Sequence, residues 1–150
     1  MADYAGAKAA IRARLDAGWT TTLITYQNED PAQPFPPLRT SGSPAPWVNL
    51  EIIGQGSSIW TSGKQGDHIY RYPGEIHVHV FVPVGDGIEL ADQYACTIGE
   101  LFRAAKFYDS GNGSCVRTLS PQVDGGGSGD DDGKWFRVTM TVDFNYWHRG

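Results

Sequence analysis

Cysteine is scarce in this sequence, and clustered positive charge is absent from it. The two cysteines, Cys96 and Cys115, have a spacing that fits neither a zinc-ligand pair nor a Cys-x-x-Cys redox motif, so we expect two reduced thiols. Acidic residues number 17 against 12 basic ones, which gives a formal net charge of −5 at pH 7. This balance argues against a protein that grips nucleic acid by its phosphates.

Long apolar runs are also missing. The longest one, Val78 to Val84, is interrupted by His79 and Pro83 and is too short to span a membrane. Residues 1–6 lack the basic start and apolar stretch of a signal peptide. We therefore expect a soluble chain made in the cytoplasm, and its 150 residues fit one domain, 1–150.

Familiar catalytic signatures do not occur either. The sequence has no phosphate-binding P-loop, no Gly-x-Ser-x-Gly elbow and no His-Glu-x-x-His run. Gly126 to Asp131 resembles the start of a calcium-binding nonapeptide repeat, but it occurs once, and Gly133 stands where a large apolar residue belongs. We interpret this segment as a flexible hairpin tip kept soluble by aspartates, and we predict no enzymatic activity and no cofactor.

One pair of potential metal ligands does occur, at His77 and His79. Alternate residues of a strand point to the same side about 7 Å apart, a spacing that two metal ligands can share. A third ligand would have to come from His68, His148 or a carboxylate on a neighbouring strand, and no such geometry can be read from the sequence. We therefore assign no metal here and interpret the pair as part of a half-exposed or interface-facing strand surface.

Two amphipathic helices are predicted from apolar residues that recur every three to four positions. The first would be capped by Asp3 and end at Gly18, and its apolar stripe comprises Tyr4, Ala7, Ile11, Leu15 and Trp19. The second would be capped by Asp86 or Gly87, and its stripe comprises Ile88, Ala91, Ala95, Ile98, Phe102 and Ala105.

Strands are predicted from alternating polarity. The strongest are Glu75 to Val82 and Lys134 to Trp147, each with one apolar and one mainly polar face. Shorter strands are predicted at 22–26, 47–53 and 115–119, with a further short one possible at 58–61. The fold class is therefore α+β, with a mainly antiparallel sheet of about four to five strands packed against two helices, in the order α-β-β-β-α-β-β.

Three segments are rich in glycine, proline or aspartate and are predicted to be mainly irregular. Asn28 to Pro46 holds six of the nine prolines, Gly54 to Tyr72 is a Gly/Ser-rich hairpin, and Asp124 to Gly133 is an acidic loop. Loops of such length are usually functional or disordered. We therefore predict that these segments make assembly contacts.

Several of these segments resemble one known family. They are the proline-rich stretch Tyr26 to Pro37, the segment Pro46 to Glu51, the strand Gly74 to Pro83, and the terminal Trp135 to Val138. Together with an N-terminal amphipathic helix, they resemble the tail-terminator-like proteins of long-tailed bacteriophages, relatives in fold of the lambda-type minor tail protein U. The likeness spans nearly the whole chain and includes no catalytic signature.

The resemblance implies a structural protein of the virion. Such a protein forms a homo-oligomeric ring, typically of six subunits, on the head-proximal end of the tail tube, where it stops polymerisation. Its partners would be the tail tube protein and a head-completion or connector protein, with no membrane involved. Six copies would carry about −30 formal charges, so genomic DNA would pass through the lumen without specific binding.

The residues we predict at assembly interfaces belong to the three loop segments and the adjoining strands, and most of them are aromatic, histidine or aspartate residues. They are Asn28, Phe35, Leu38, Trp47, Trp60, His68, Tyr70, His77, His79, Asp130, Asp131, Asp132 and Trp135.

Other functions stay open from the sequence. Another head–tail connector or a tail-tube protein would share a related α+β core, and a tube protein would stack into filaments. A carbohydrate-binding module could stack sugars on exposed tryptophans and would be a monomer. A metal-dependent hydrolase would have to be built on His77 and His79.

Overall fold

A computed structural model describes residues 3–130 and 132–150 of the chain. The first helix, α1, spans Tyr4–Gly18, and the Asp3 carboxylate caps it by accepting a hydrogen bond from the Gly6 N–H at 2.6 Å. Its predicted apolar stripe is confirmed, because Ala7, Ile11 and Leu15 are fully buried. No helix of the described part of the chain is long and apolar enough to cross a bilayer.

The second helix, α2, spans Glu89–Phe102 and is also confirmed, but its predicted cap is wrong. The residue before the helix is Ile88, and no side chain caps the first turn. Asp86 instead binds Arg39 of the proline-rich segment, with 2.6 Å between its carboxylate and the guanidinium. The helix also ends before Ala105, so the buried stripe stops at Phe102.

The strands of the described residues are β1 (Leu23–Tyr26), β2 (Trp47–Gly54), β3 (Ser58–Ile59), β4 (Ile69–Pro83), β5 (Lys106–Phe107), β6 (Cys115–Thr118), β7 (Gln122–Val123), β8 (Gly127–Ser128) and β9 (Trp135–Arg149). They belong to one sheet, in which only the pair β1–β2 is parallel. The path of hydrogen-bonded neighbours is β1-β2-β4-β9-β6-β5. The predicted α+β class is therefore confirmed.

The described residues form nine strands rather than the predicted four to five, because the chain that pairs with one side of β4 and the chain that pairs with one side of β9 are each divided into shorter strands. Strand β3 pairs with β4 on the side where β2 pairs, and β6, β7 and β8 follow one another along the same side of β9. The break between β2 and β3 lies opposite Pro73, which has no N–H to donate and whose carbonyl accepts from Gln55. The predicted hairpin 54–72 is correspondingly shorter, since Ile69–Tyr72 belong to β4.

The long strands β4 and β9 pair over all fifteen of their residues, from Ile69 opposite Arg149 to Pro83 opposite Trp135. Their even-numbered residues form one side of the sheet, which both helices cover. The buried core on that side includes Ile76, Val78, Val80 and Val82 of β4 and Val138, Met140, Val142, Phe144 and Tyr146 of β9. The predicted alternation is confirmed, and the odd-numbered residues lie on a second side with no helix over it.

Gly74 allows the Phe144 ring to lie across the middle of β4. A Cβ at this position would come within 2.6 Å of both the Ile53 carbonyl oxygen and the Phe144 ring. We expect Gly74→Ala to lower the free energy of unfolding by about 2 kcal/mol, because the backbone oxygen cannot move aside without breaking the β2–β4 pairing. Urea unfolding measures this difference.

Gly125→Ala is the matched control for this prediction. Among the described residues, nothing lies within 4 Å of a Cβ built at Gly125, so its substitution should change the unfolding free energy by less than about 0.5 kcal/mol. Equal effects of the two substitutions would contradict the close approach at Gly74.

Candidate functional site

The side of the sheet without helices carries six of the thirteen predicted interface residues, namely Phe35, Trp47, Trp60, His77, His79 and Trp135. We call it the helix-free face, formed by the odd-numbered residues of β2, β4 and β9 together with the segments that lie against them. Most of its side chains are half-buried rather than fully exposed. Three regions follow one another along the strands: an aromatic end, a polar centre and a tryptophan cleft.

The aromatic end brings together three predicted interface residues and one that was not predicted. The Trp47 ring stacks on Phe81 with 4.1 Å between ring centroids, and it meets Phe35 and Trp135 edge-on at 4.9 and 6.0 Å. Within the described residues, the buried indole N–H of Trp47 has no hydrogen-bond partner. These aromatics therefore contribute to the chain's own packing as well as to its surface.

The proline-rich segment, residues 28–46, is held against the rest of the domain by salt bridges at two points. Arg39 binds Asp86, and Arg12 of α1 makes a two-pronged salt bridge with Glu29. Hydrogen bonding by Arg12 holds the pKa of the Glu29 carboxyl below its ordinary value. The two remaining predicted residues of this segment are Leu38, which is 55% exposed, and Asn28, whose φ of 56° places it in a left-handed turn.

The polar centre contains His77 and His79 of β4 and two carboxylates. His79 Nδ1 lies 2.8 Å from Thr139 Oγ1, while its Nε2 lies 3.4 Å from the Glu51 carboxylate of β2. His77 Nε2 lies 3.1 Å from the carboxylate of Glu75. One ligand atom each of Glu51, His77 and His79 fall within 4.8 Å of one another, so these residues could hold a metal ion.

Desolvation dominates the electrostatics of His79. Its side chain is only 17% exposed, and burial lowers its pKa below the ordinary 6.5. The Glu51 carboxylate opposes this shift, whereas the positive charge of Arg137 and the neighbouring His77 add to it. Above pH 6.5 the ring is therefore neutral, and its nitrogen lone pair is free to accept a proton or bind a metal.

The tryptophan cleft lies at the opposite end of the strands from the aromatic end. Trp60 meets Trp147 edge-on at 5.3 Å, and the Arg71 guanidinium lies over the Trp60 ring. The two rings line a cleft of about 540 Å³ together with Lys106, Asp109 and Arg117. Of the predicted residues nearby, His68 is bonded through Nδ1 to the Thr61 carbonyl, and Tyr70 packs beside His148.

The predicted acidic loop is more ordered than a flexible tip. The Asp130 carboxylate accepts hydrogen bonds from the backbone of Lys134 and Trp135, and thereby fixes the entry into β9. Asp132 is exposed in the following turn, and Asp131 lies outside the described residues. Neither described aspartate approaches the histidines, so this loop adds nothing to the polar centre.

The structure thus brings together Phe35, Trp47 and Trp135 at one end and His77 with His79 in the centre, while Trp60 and His68 lie at the other end. The predicted interface residues do not include Glu51, Phe81, Thr139 or Trp147. Alternation places each of them on the right face of its strand. Only the pairing register, which sets Glu51 opposite His77 and Thr139 opposite His79, reveals what they contact.

Comparison with known proteins identifies the fold and goes no further. No family model and no curated protein matches this chain. Among solved structures, 21 chains match. One of them, whose name states no function, is 18% identical, covers 93% of this chain and 94% of its own, and superposes with a TM-score of 0.62. The fold therefore exists in another protein of the same extent.

Phe35 is expected to anchor the proline-rich segment. Replacing it with alanine removes the edge-on contact with Trp47, which we take as about 1 kcal/mol of local stability. We predict that Phe35→Ala raises the rate of tryptic cleavage after the exposed Arg39 about fivefold, because proteolysis tracks the population of the locally open segment. Leu38→Ala, which alters an exposed neighbour, should leave the rate unchanged, and an equal increase there would contradict this anchoring.

His79 should make stability depend on pH. Because folding lowers its pKa, the unfolded chain binds the proton more readily, and stability falls as the pH drops below the unfolded value of 6.5. We expect the loss of unfolding free energy between pH 7.5 and 5.5, measured by urea unfolding in EDTA, to be smaller in His79→Gln than in the native chain. The same pH dependence in the two proteins would contradict a lowered pKa of His79 in the folded chain.

Proposed function

We propose that this chain is a structural component of a long-tailed phage that assembles into a ring, of six subunits, capping the head-proximal end of the tail tube. One observation carries the self-assembly part of this proposal. The chain exposes two separate apolar patches at opposite ends of its longest strands.

The first patch lies beside the start of β4. Ile59 and Trp60 are 61% and 58% exposed. Their backbone is nevertheless held by β4, because Ile59 pairs with Tyr70 and the Trp60 N–H donates to the Ile69 carbonyl. Because neighbouring residues of a strand alternate, Trp60 lies on the helix-free face and Ile59 on the other side of the same sheet edge. Large apolar side chains exposed at an ordered edge are typical of protein contacts. This hairpin belongs to the segment that the sequence predicts to make assembly contacts.

The second patch lies at the other end of β4, where the strand turns into α2. Val84 is 60% exposed and Ile88 is 43% exposed. Together with Phe136 and Pro83 they line a small, mainly apolar groove of about 180 Å³. Ile88 was predicted to belong to the apolar stripe of α2, with Asp86 or Gly87 as the cap, but it occupies the N-cap position itself and its apolar side chain is exposed there.

The separation of the patches favours a ring over a two-fold dimer. Fifteen residues of extended strand lie between them, which corresponds to about 46 Å. Two different patches on opposite ends of a subunit fit a head-to-tail contact, and such a contact closes into a ring when the rotation between subunits allows it. A two-fold dimer uses one self-complementary patch on both subunits and would leave the other exposed.

The phage part of the proposal is supported by the resemblance of the segments 26–37, 46–51, 74–83 and 135–138 to tail-terminator-like proteins. On this proposal the ring binds the tail tube protein on one side and a head-completion or connector protein on the other. Another connector or a tube protein of the phage tail is the nearest alternative within the same class.

The mass of the native particle tests this proposal. Six chains of 16.4 kDa give about 98 kDa, and we expect light scattering over a concentration series to reach and stop at this mass. Trp60→Ser and Ile88→Ser should each shift the particle towards the monomer, because each removes one side of the head-to-tail contact. Leu119→Ser, which alters an exposed leucine outside both patches, should leave the mass unchanged.

Other masses would contradict this function in specific ways. Growth without an upper limit would indicate a tube protein. A strict monomer at all concentrations would exclude a ring formed by this chain alone and would favour a second candidate, a carbohydrate-binding module. That candidate is favoured by the tryptophan cleft, where Trp60 and Trp147 offer ring surfaces beside the polar groups of Asp109 and Arg117.

A further inference from the structure

We propose that Glu51, His77 and His79 form a binding site for one divalent transition-metal ion, of which Zn²⁺ is the representative. The site lies in the polar centre of the helix-free face. It does not depend on the proposed ring, because all three ligands come from a single chain.

The backbone places the three side chains on one surface. Glu51 of β2 is directly opposite His77 of β4, and His79 is the next residue on the same side of β4. The two imidazole rings have centroids 5.9 Å apart. Strands β2 and β4 pair over eight residues, so the positions of the three Cα atoms are fixed by the sheet rather than by a loop.

The donor atoms are close to the spacing that a metal requires. They already lie within 4.8 Å of one another. In a tetrahedral zinc site with bonds of about 2.1 Å, the ligand atoms lie about 3.4 Å apart. Side-chain rotations that move each atom by about 1 Å therefore suffice, and the sheet does not have to change.

Two neighbouring residues orient the imidazoles as the partners of metal-binding histidines do. With Nδ1 of His79 donating to Thr139, its Nε2 lone pair points towards Glu51. With Nε2 of His77 donating to the Glu75 carboxylate, its Nδ1 is the nitrogen left to bind the ion. A hydrogen bond from the non-ligating nitrogen to a hydroxyl or carboxylate fixes the tautomer and raises the basicity of the ligand.

The donor set selects the class of ion. Two imidazoles and one carboxylate suit Zn²⁺, Co²⁺, Ni²⁺ or Fe²⁺, whereas Ca²⁺ and Mg²⁺ prefer oxygen ligands alone. Charge also favours a dication, since Glu51 and Glu75 together supply two negative charges, against the single positive charge of Arg137 nearby. Three protein ligands leave a fourth position for water, because Glu51 and His77 are partly exposed.

Calorimetric titration of the untagged 150-residue chain with Zn²⁺ tests the site. We expect one ion per chain, whatever the oligomeric state. His77→Gln, His79→Gln and Glu51→Gln should each weaken binding by at least tenfold. His148→Gln is the matched control, because it also removes one histidine yet lies near Tyr70 and Tyr146, away from the polar centre, and it should bind as the native chain does.

Binding of Co²⁺ to the native chain provides a second readout that does not depend on a variant folding. We expect visible absorption bands of tetrahedral Co²⁺ with nitrogen and oxygen ligands, lost on addition of Zn²⁺. Absence of any binding at millimolar Zn²⁺, or unchanged affinity in folded His77→Gln and His79→Gln, would overturn the proposal. Equal weakening in His148→Gln would overturn it as well, because binding would then reflect surface histidines in general.

Discussion

The pairing of β4 with β9 is the constraint on which the rest of the structure depends. Fifteen consecutive residue pairs hold the two strands in one register. Because side chains alternate along a strand, this register decides at once which residues enter the core and which lie on the helix-free face. A slip by one residue would bury His77 and His79 and expose Val78 and Val80. The core and the candidate site are therefore two consequences of one pairing.

The strand pairing also determines how deeply the side chains of the helix-free face are buried. Polar and aromatic side chains that would be fully exposed on an isolated strand are here half-buried by their cross-strand neighbours. The resulting contacts are specific: Trp47 stacks on the residue opposite it, Phe81, and Glu51 reaches across to His79. A surface built this way holds its side chains in place before any partner arrives, which lowers the entropic cost of binding.

Whether a feature of the fold or of the candidate site could be predicted depends on how far apart in the sequence the residues that form it lie. Helices α1 and α2 and the alternation of β4 and β9 are local patterns, and the sequence predicts them correctly. Strands β5, β7 and β8 are two residues long, which is too short to show a period. Strands β7 and β8 form by pairing with β9, and β5 forms by pairing with β6. Asp86 was predicted to cap α2 but binds Arg39 instead. This prediction was wrong because Arg39 is distant in sequence and comes close to Asp86 only in the folded chain. The sequence could not name the third ligand of the proposed metal site for the same reason, since Glu51 is brought to the histidines only by the strand register.

The two proposals rest on different parts of the same strands. The apolar patches lie at the two ends of β4, near Trp60 and near Val84, whereas the metal ligands lie towards its middle. Contacts through the ends would leave the polar centre uncovered, so a ring and an occupied metal site are compatible in one particle. Conversely, a monomeric chain would keep all three ligands. Metal binding therefore depends on the sheet register and ring formation on the ends of the sheet, and one can fail without the other.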